Sequence, residues 1–179
     1  MSTERDKNVL NLILNPMLPF GLEEGEENES KSEEEKYSNL PNYGQSEQLG
    51  KEGVELAEKG DLENAMKKFN EAIGICPQNP SNYNNRAQLF RLMFKIPEAL
   101  TDLEKALALC EGKGRVAAQS NVQKALIHQF HGDTALAKVE FEQAAKLGSK
   151  FAQKQAIAMN PYAAMCNKML GEIMTKFHI

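Results

Sequence analysis

The chain has 179 residues, of which 41% are hydrophobic and only 7% aromatic, with no tryptophan. Its net charge of −4 is uneven, because residues 23–36 contain eight glutamates and two lysines, a net of −6, which leaves +2 for the rest. A nearly neutral body with an acidic segment lacks the basic surface that phosphate backbones require, so nucleic-acid binding is not expected.

Residues 1–22 are predicted to form an N-terminal arm whose apolar residues lie on one side of a short helix over 6–14. This stretch is too short for a signal-peptide core or a membrane span. Two interpretations stay open: a frayed tail, or a motif whose Leu14 and Phe20 dock on the rest of the chain. Residues 23–44 are predicted to be an acidic, disordered linker, because they cannot bury enough apolar surface to offset their ordering entropy.

A spaced pattern of small and large apolar residues occurs three times along the middle of the chain. The string Gly60-Asp61-x-x-x-Ala65-x-x-x-Phe69-x-x-Ala72 recurs as Gly132-Asp133-x-x-x-Ala137-x-x-x-Phe141-x-x-Ala144. Between the two copies, Ala99-x-x-x-Leu103-x-x-Ala106 keeps the same spacing. The small residues allow neighbouring helices to approach closely, and the large residue fills the space between them.

The intervals between the copies are 34 and 38 positions, and 34 residues is the length of a tetratricopeptide repeat, a helix-turn-helix unit. The pattern therefore predicts an all-α tetratricopeptide-repeat superhelix of three helix-turn-helix repeats, at 46–79, 80–113 and 118–151. The longer interval indicates a four-residue insertion, which we expect in a loop at Gly112-Lys113-Gly114. Each Gly-Asp pair predicts a turn, with glycine ending one helix and aspartate capping the next.

The C-terminal part, residues 152–179, is predicted to form capping helices for the open end of the stack. Helix is expected over 151–158, and Asn160-Pro161 then starts a further one. The alternative is a methionine-rich groove for partner helices. The apolar residues at three- and four-residue steps are Tyr162, Met165, Cys166, Met169, Leu170, Ile173, Met174 and Phe177.

Cysteine and histidine usage argues against a disulfide framework and against catalysis. Cys76, Cys110 and Cys166 are odd in number and without CxxC spacing, which predicts buried thiols in a reducing compartment. We therefore expect a cytoplasmic location, with the nucleus left open. His128 and His131 lack further ligands at metal spacing, and no nucleophile has a paired base. The chain is accordingly predicted not to be an enzyme and to need no cofactor or metal.

The first helix of each repeat is expected to line the concave face of the superhelix. This face should be rich in amides, with few cations and apolar edges, and it would suit an extended peptide or a helix from a partner protein. The residues predicted to form the partner-binding groove are Asn84, Asn85, Gln88, Arg91, Gln119, Gln123, Leu126 and Phe130.

Four segments carry a more specific resemblance: Asn15-Pro16-x-x-Pro19-Phe20-Gly21, Tyr83-Asn84-Asn85-Arg86-Ala87-Gln88, Gly112-Lys113-Gly114-Arg115, and the run from Asn160 to Leu170. Together they resemble the tetratricopeptide repeat protein 36 family. The resemblance implies a non-catalytic adaptor that binds heat-shock protein 70 and acts in a co-chaperone-like way. We expect the chain to be a monomer. The alternative is an oligomerising scaffold that regulates the stability of a client protein.

Chaperone-binding members of the wider superfamily resemble one another in a five-residue carboxylate clamp, made of lysine, arginine and asparagine. The corresponding positions here are Gly50, Val54, Asn85, Gln119 and Gln123, and only Asn85 matches. The usual clamp is therefore missing, although Arg91, Lys113 or Arg115 could supply positive charge from other positions.

Overall fold

The computed structural model describes residues 36–160 and, beyond them, residues 162, 165 and 169. The arm and residues 23–35 of the predicted linker lie outside these residues. The described part contains no strand, and the all-α prediction is confirmed. Its helices are α1 (Tyr43–Glu58), α2 (Leu62–Ile75), α3 (Pro80–Leu92), α4 (Ile96–Leu109), α5 (Gly114–Phe130), α6 (Thr134–Lys146) and α7 (Lys150–Ala158).

The helices pair in chain order, as a superhelix of helix-turn-helix repeats requires. Helices α1 and α2, α3 and α4, and α5 and α6 pack together within the repeats, and each second helix also contacts the helix that follows it. The first helices lie side by side, because α1 contacts α3 and α3 contacts α5. The surface formed by α1, α3 and α5 is called the inner face below.

The repeated apolar pattern forms the core. Its nine positions on α2, α4 and α6 are at most 1% exposed, which confirms their predicted burial. The close approach extends to Gly53 on α1, where a Cβ atom would come within 2.7 Å of the Phe69 ring. Among the described residues, Phe69 and Phe141 are the largest fully buried side chains, and burial of each contributes about 2–3 kcal/mol.

The two Gly-Asp turns differ in their capping. Gly60 and Gly132 have φ angles of 81° and 83°, the left-handed conformation that glycine adopts readily. The Asp61 carboxylate accepts a hydrogen bond from the Asn64 backbone N–H at 3.2 Å, as predicted. Asp133 makes no such side-chain bond, so the capping prediction is wrong there. In the middle repeat the corresponding turn contains no glycine, and Phe94 adopts a φ of 57° while 64% exposed.

The four-residue insertion lengthens helix α5, so the prediction that a loop holds it is wrong, although Gly112 and Lys113 themselves lie in the connection between α4 and α5. Helix α5 begins at Gly114 and has 17 residues, whereas α3 has 13. The added turn is held by burial, because Val116 packs with Tyr83 of α3 and Ala106 of α4. Apolar residues directly after the Gly-Lys-Gly segment thus favour helix over loop at this position.

Each repeat contains one ion pair between its two helices. In the first repeat, the Lys68 ammonium of α2 lies 2.7 Å from the Glu52 carboxylate of α1. In the middle repeat, Arg86 donates to both carboxylate oxygens of Asp102, at 2.7 and 2.8 Å. In the third repeat, the Lys124 ammonium lies 2.6 Å from the Glu140 carboxylate, and both side chains are less than 20% exposed. A half-buried cation at this position is therefore satisfied within its own repeat.

The ends of the described region differ from the predicted boundaries. Helix α1 begins at Tyr43, so the last two residues assigned to the linker are helical. At the other end, Ser149 caps α7, and Phe151 packs edge-on against Phe141 with ring centroids 6.1 Å apart. Helix α7 therefore covers the third repeat.

The capping role of the residues after α7 stays a prediction, and three residues of the apolar stripe are described. The Asn160 side chain accepts a bond from the Tyr162 N–H at 3.1 Å, as an N-cap would. However, Tyr162, Met165 and Met169 are 75%, 56% and 54% exposed, so these three do not shield the stack. The remaining residues of the predicted stripe, Cys166, Leu170, Ile173, Met174 and Phe177, lie outside the described residues.

Candidate functional site

A cavity of about 300 Å³ opens on the inner face between α1 and α3. Its walls combine charged groups of α1 with amide groups of α3, and its apolar part comes from Val54. Three of its lining residues stand at positions mapped to the clamp. The lining residues are Glu47, Gly50, Lys51, Val54, Glu55, Asn82 and Asn85.

Gly50 has no side chain for a structural reason. Asn82 donates from Nδ2 to the Ser46 hydroxyl at 2.6 Å, and that hydroxyl donates to the Ala72 carbonyl at 2.8 Å. A Cβ atom on Gly50 would collide with Oδ1 of Asn82. A larger residue at position 50, including the lysine of a clamp, would therefore have to displace Asn82 from this buried link between the repeats.

A second polar network joins α3 to α5. Gln123 donates from Nε2 to the Asn84 carbonyl at 3.1 Å and to the Asn84 side-chain oxygen at 2.9 Å. Ser120 donates to the same side-chain oxygen at 3.1 Å. Arg91 Nη1 donates to Oε1 of Gln123 at 3.3 Å. These bonds fix the Gln123 side chain, which is fully buried, and they hold the guanidinium of Arg91 in place.

Arg91 is a buried cation without an acidic neighbour. The residue is 8% exposed, and none of the ion pairs among the described residues includes it. Burial lowers the pKa of its guanidinium to about 10. Arg86, on the same helix, shows the opposite effect, because its bonds to Asp102 raise its pKa.

The structure separates the eight residues predicted for the groove into three groups. Asn84, Arg91, Gln123 and Leu126 are buried, and the first three form the α3–α5 network. Asn85, Gln88 and Gln119 are half-buried, and Asn85 lines the cavity. Phe130 is 45% exposed at the end of α5.

The sequence prediction missed the polar residues that join neighbouring first helices. Ser46 bonds to Asn82, and Ser120 bonds to Asn84, and each pair is separated by 36 positions. A search for pairs of polar residues separated in the sequence by about one repeat length could have found them. Glu47 and Lys51 were missed because only the mapped clamp positions of α1 were considered.

Chemistry of other kinds has little support in the part of the chain that the structure describes. No group of three or more histidine, cysteine or acidic residues is placed to hold a metal ion there. Cys76 and Cys110 are buried, as predicted. No helix within the described ranges has the length and apolarity needed to cross a bilayer.

The paired helices and their repeating core define a tetratricopeptide-repeat protein, and the family model described as "TPR repeat" matches residues 53–93. Relatives that align over nearly their whole length identify the family within the tetratricopeptide-repeat proteins. The chain is 45% identical to human tetratricopeptide repeat protein 36 over 97% of its length and 95% of the relative's, and 44% identical to the bovine protein with the same coverage. It is 48% identical to the Caenorhabditis elegans protein of that name, covering 98% of this chain and 97% of the relative. The chain belongs to the tetratricopeptide repeat protein 36 family.

Proposed function

We propose that this chain is a non-catalytic, co-chaperone-like adaptor of the cytoplasm that binds a protein partner through its inner face, and that the partner is heat-shock protein 70. The observation that carries the proposal is the cavity between α1 and α3, which combines amide groups, charged groups and an apolar wall. Such a surface suits an extended polypeptide segment, because its affinity can come from backbone hydrogen bonds together with side-chain pockets.

The mode of binding should differ from a carboxylate clamp. Gly50 cannot be replaced by a lysine without displacing Asn82, and Val54 offers no amide. The charged residues that line the cavity are Glu47, Glu55 and Lys51, so its net charge is negative, which opposes a terminal carboxylate there. The adaptor is therefore expected to bind an internal segment of the chaperone and to ignore its C-terminal residues.

The test is a binding titration of the purified full-length chain with purified heat-shock protein 70. Asn85→Arg places a long side chain at the cavity wall and should weaken binding at least about tenfold. Glu63→Arg, on an exposed position of α2, is the matched control and should leave affinity unchanged. Removal of the chaperone's C-terminal Glu-Glu-Val-Asp sequence should also have no effect. Binding that survives Asn85→Arg would rule out the inner face, and binding abolished by the C-terminal deletion would restore the clamp.

A second candidate function, an oligomerising scaffold that regulates a client protein's stability, is favoured by one observation. Tyr162, Met165 and Met169 place three exposed apolar side chains at helical spacing. Sedimentation at micromolar concentration distinguishes the two functions. A monomer supports the adaptor, whereas a dimer that dissociates on Met165→Glu plus Met169→Glu supports the scaffold.

A further inference from the structure

Charge is divided along the inner face. Helix α1 has four glutamates and one lysine, whereas neither α3 nor α5 contains an aspartate or a glutamate. The cations of these two helices include Arg86, which is paired with Asp102, and Lys124, which is paired with Glu140. Both of those acidic partners lie on second helices, away from the inner face. The corresponding residue of α1, Glu52, is paired with Lys68 of α2. Outside these three pairs, α1 brings Glu47 and Glu55 beside Lys51 to the cavity, and α3 has the cation Arg91.

Arg91 differs from Arg86 and Lys124 because no carboxylate neutralises it. Within residues 36–160, its one hydrogen bond is the 3.3 Å contact to the neutral side chain of Gln123, although a guanidinium has five N–H donors in a fixed planar arrangement. An uncompensated buried charge is costly, and arginine in particular matches the two oxygens of a carboxylate. A buried, oriented and uncompensated arginine is therefore the pattern of a site that an anion completes.

The position of Arg91 indicates which kind of carboxylate would reach it. Arg91 belongs to α3, the middle of the three inner helices, and it faces α5. If a partner segment crosses the whole inner face, its middle residues lie at α3 and its two ends lie at α1 and α5. The carboxylate at Arg91 would then come from a side chain, while the acidic end of the face at α1 would lie next to a neutral or basic part of the segment.

We propose that Arg91 binds the side-chain carboxylate of an aspartate or glutamate within the partner segment that lies across the inner face. This inference rests on the proposed function, since it names the chemistry recognised at that same face. The Asn84–Gln123–Ser120 network is the support that orients the guanidinium, and Gln123 is the positioning residue that contacts it.

The test uses NMR detection of the Arg91 Nε–Hε signal in the full chain, assigned by its loss in Arg91→Gln. Two capped probes carry one carboxylate each. N-acetylglutamate α-amide has its carboxylate on the side chain, and N-acetylglutamine has its carboxylate on the main chain. Sodium chloride at equal ionic strength is the control for screening. The side-chain probe should shift the signal saturably, and N-acetylglutamine should bind more weakly.

Variants separate recognition from folding. Circular dichroism and the thermal midpoint establish that Arg91→Gln and Arg91→Lys are folded, and probe binding is then followed through the backbone amides of α3 and α5. Arg91→Gln should weaken the side-chain probe about tenfold or more, while Arg91→Lys should retain part of its binding. Absence of a saturable shift, or unchanged binding in Arg91→Gln, would overturn the site. Tighter binding of N-acetylglutamine would overturn the choice of a side-chain carboxylate.

The outcome is independent of the chaperone titration. If the probe binds at Arg91 but heat-shock protein 70 does not bind the chain, the proposed partner is wrong and the carboxylate site stands. If the chaperone binds with equal affinity to wild type and to Arg91→Gln, the adaptor function stands and Arg91 is not part of its binding site.

Discussion

Replacement of Arg91 by methionine should make the protein more stable. Methionine has a similar length and no charge, so Arg91→Met keeps most of the packing of the stem and removes the guanidinium. Since Arg91 is buried without a carboxylate, its charge is a cost to the folded state. This expectation runs against the usual result that substitutions of buried residues destabilise.

The size of the effect follows from two opposing contributions. Burial lowers the pKa of Arg91 to about 10, and such a drop from the ordinary arginine value corresponds to about 3 kcal/mol of unfavourable charge burial. The substitution also leaves Oε1 of Gln123 without its donor, which costs about 1–2 kcal/mol. The free energy of unfolding should therefore rise by about 1–2 kcal/mol.

The measurement is urea denaturation of wild type and Arg91→Met at pH 7, with Arg86→Met as the comparison. Arg86→Met leaves the buried Asp102 carboxylate without its partner and should lower the free energy of unfolding by about 2–3 kcal/mol. If the two substitutions change the free energy of unfolding in opposite directions, the effect of an uncompensated cation is distinguished from that of a paired one on the same helix. A loss of stability in Arg91→Met, with an unchanged m-value, would refute the reasoning.

The pH dependence provides an independent check of sign. Above pH 10 the folded state releases the Arg91 proton before the unfolded chain does, so the unfolded state binds more protons. Wild type should therefore gain stability relative to Arg91→Met as pH rises above about 10. Below that pH both states are protonated, and the difference between the two proteins should be constant. A difference that varies between pH 6 and 9 would point to another titrating group.

Three further substitutions test the packing that shapes the inner face, each by denaturation of the full chain. Gly50→Lys should displace Asn82 from Ser46 and lower the free energy of unfolding by about 2 kcal/mol. It should not create affinity for a Glu-Glu-Val-Asp peptide, and tight peptide binding would contradict this. Phe94→Gly should raise the free energy of unfolding by about 1 kcal/mol, because the turn needs a positive φ and the side chain is exposed; a decrease would show that the ring contributes packing. Phe69→Ala should lower it by about 3–5 kcal/mol, and a loss below 1 kcal/mol would deny its role in the core.

The fold could be predicted almost completely from sequence because the repeat pattern records packing directly. Ala65, Phe69 and Ala72 are buried by the geometry of a single helix pair, and the same geometry recurs at Ala99 and Ala137. Spacing along one helix determines which residues share a face, so periodicity is sufficient evidence for this level of structure.

The candidate site could be predicted only in part, because its determinants lie between helices from different repeats. Gln123 lies on a first helix, so its side chain was expected on the concave face. Its amide instead donates a hydrogen bond to Asn84 and joins α5 to α3. The reason for glycine at position 50 is the side chain of Asn82, 32 positions later. Such contacts depend on the distance between neighbouring helices, which the pattern of apolar residues does not specify.

The additional turn of α5 bears on how this scaffold could be altered. Four residues advance an α-helix by slightly more than one turn, so everything after the insertion is rotated by only about 40°. The faces of α5 that contact α3 and α6 can therefore keep their roles whether the extra turn is present or absent. Removing two residues at the same place would instead rotate the helix by about 160° and turn Gln123 away from Asn84. The beginning of α5 is thus a place where whole helical turns can be added or removed while the contact between Gln123 and Asn84 is kept.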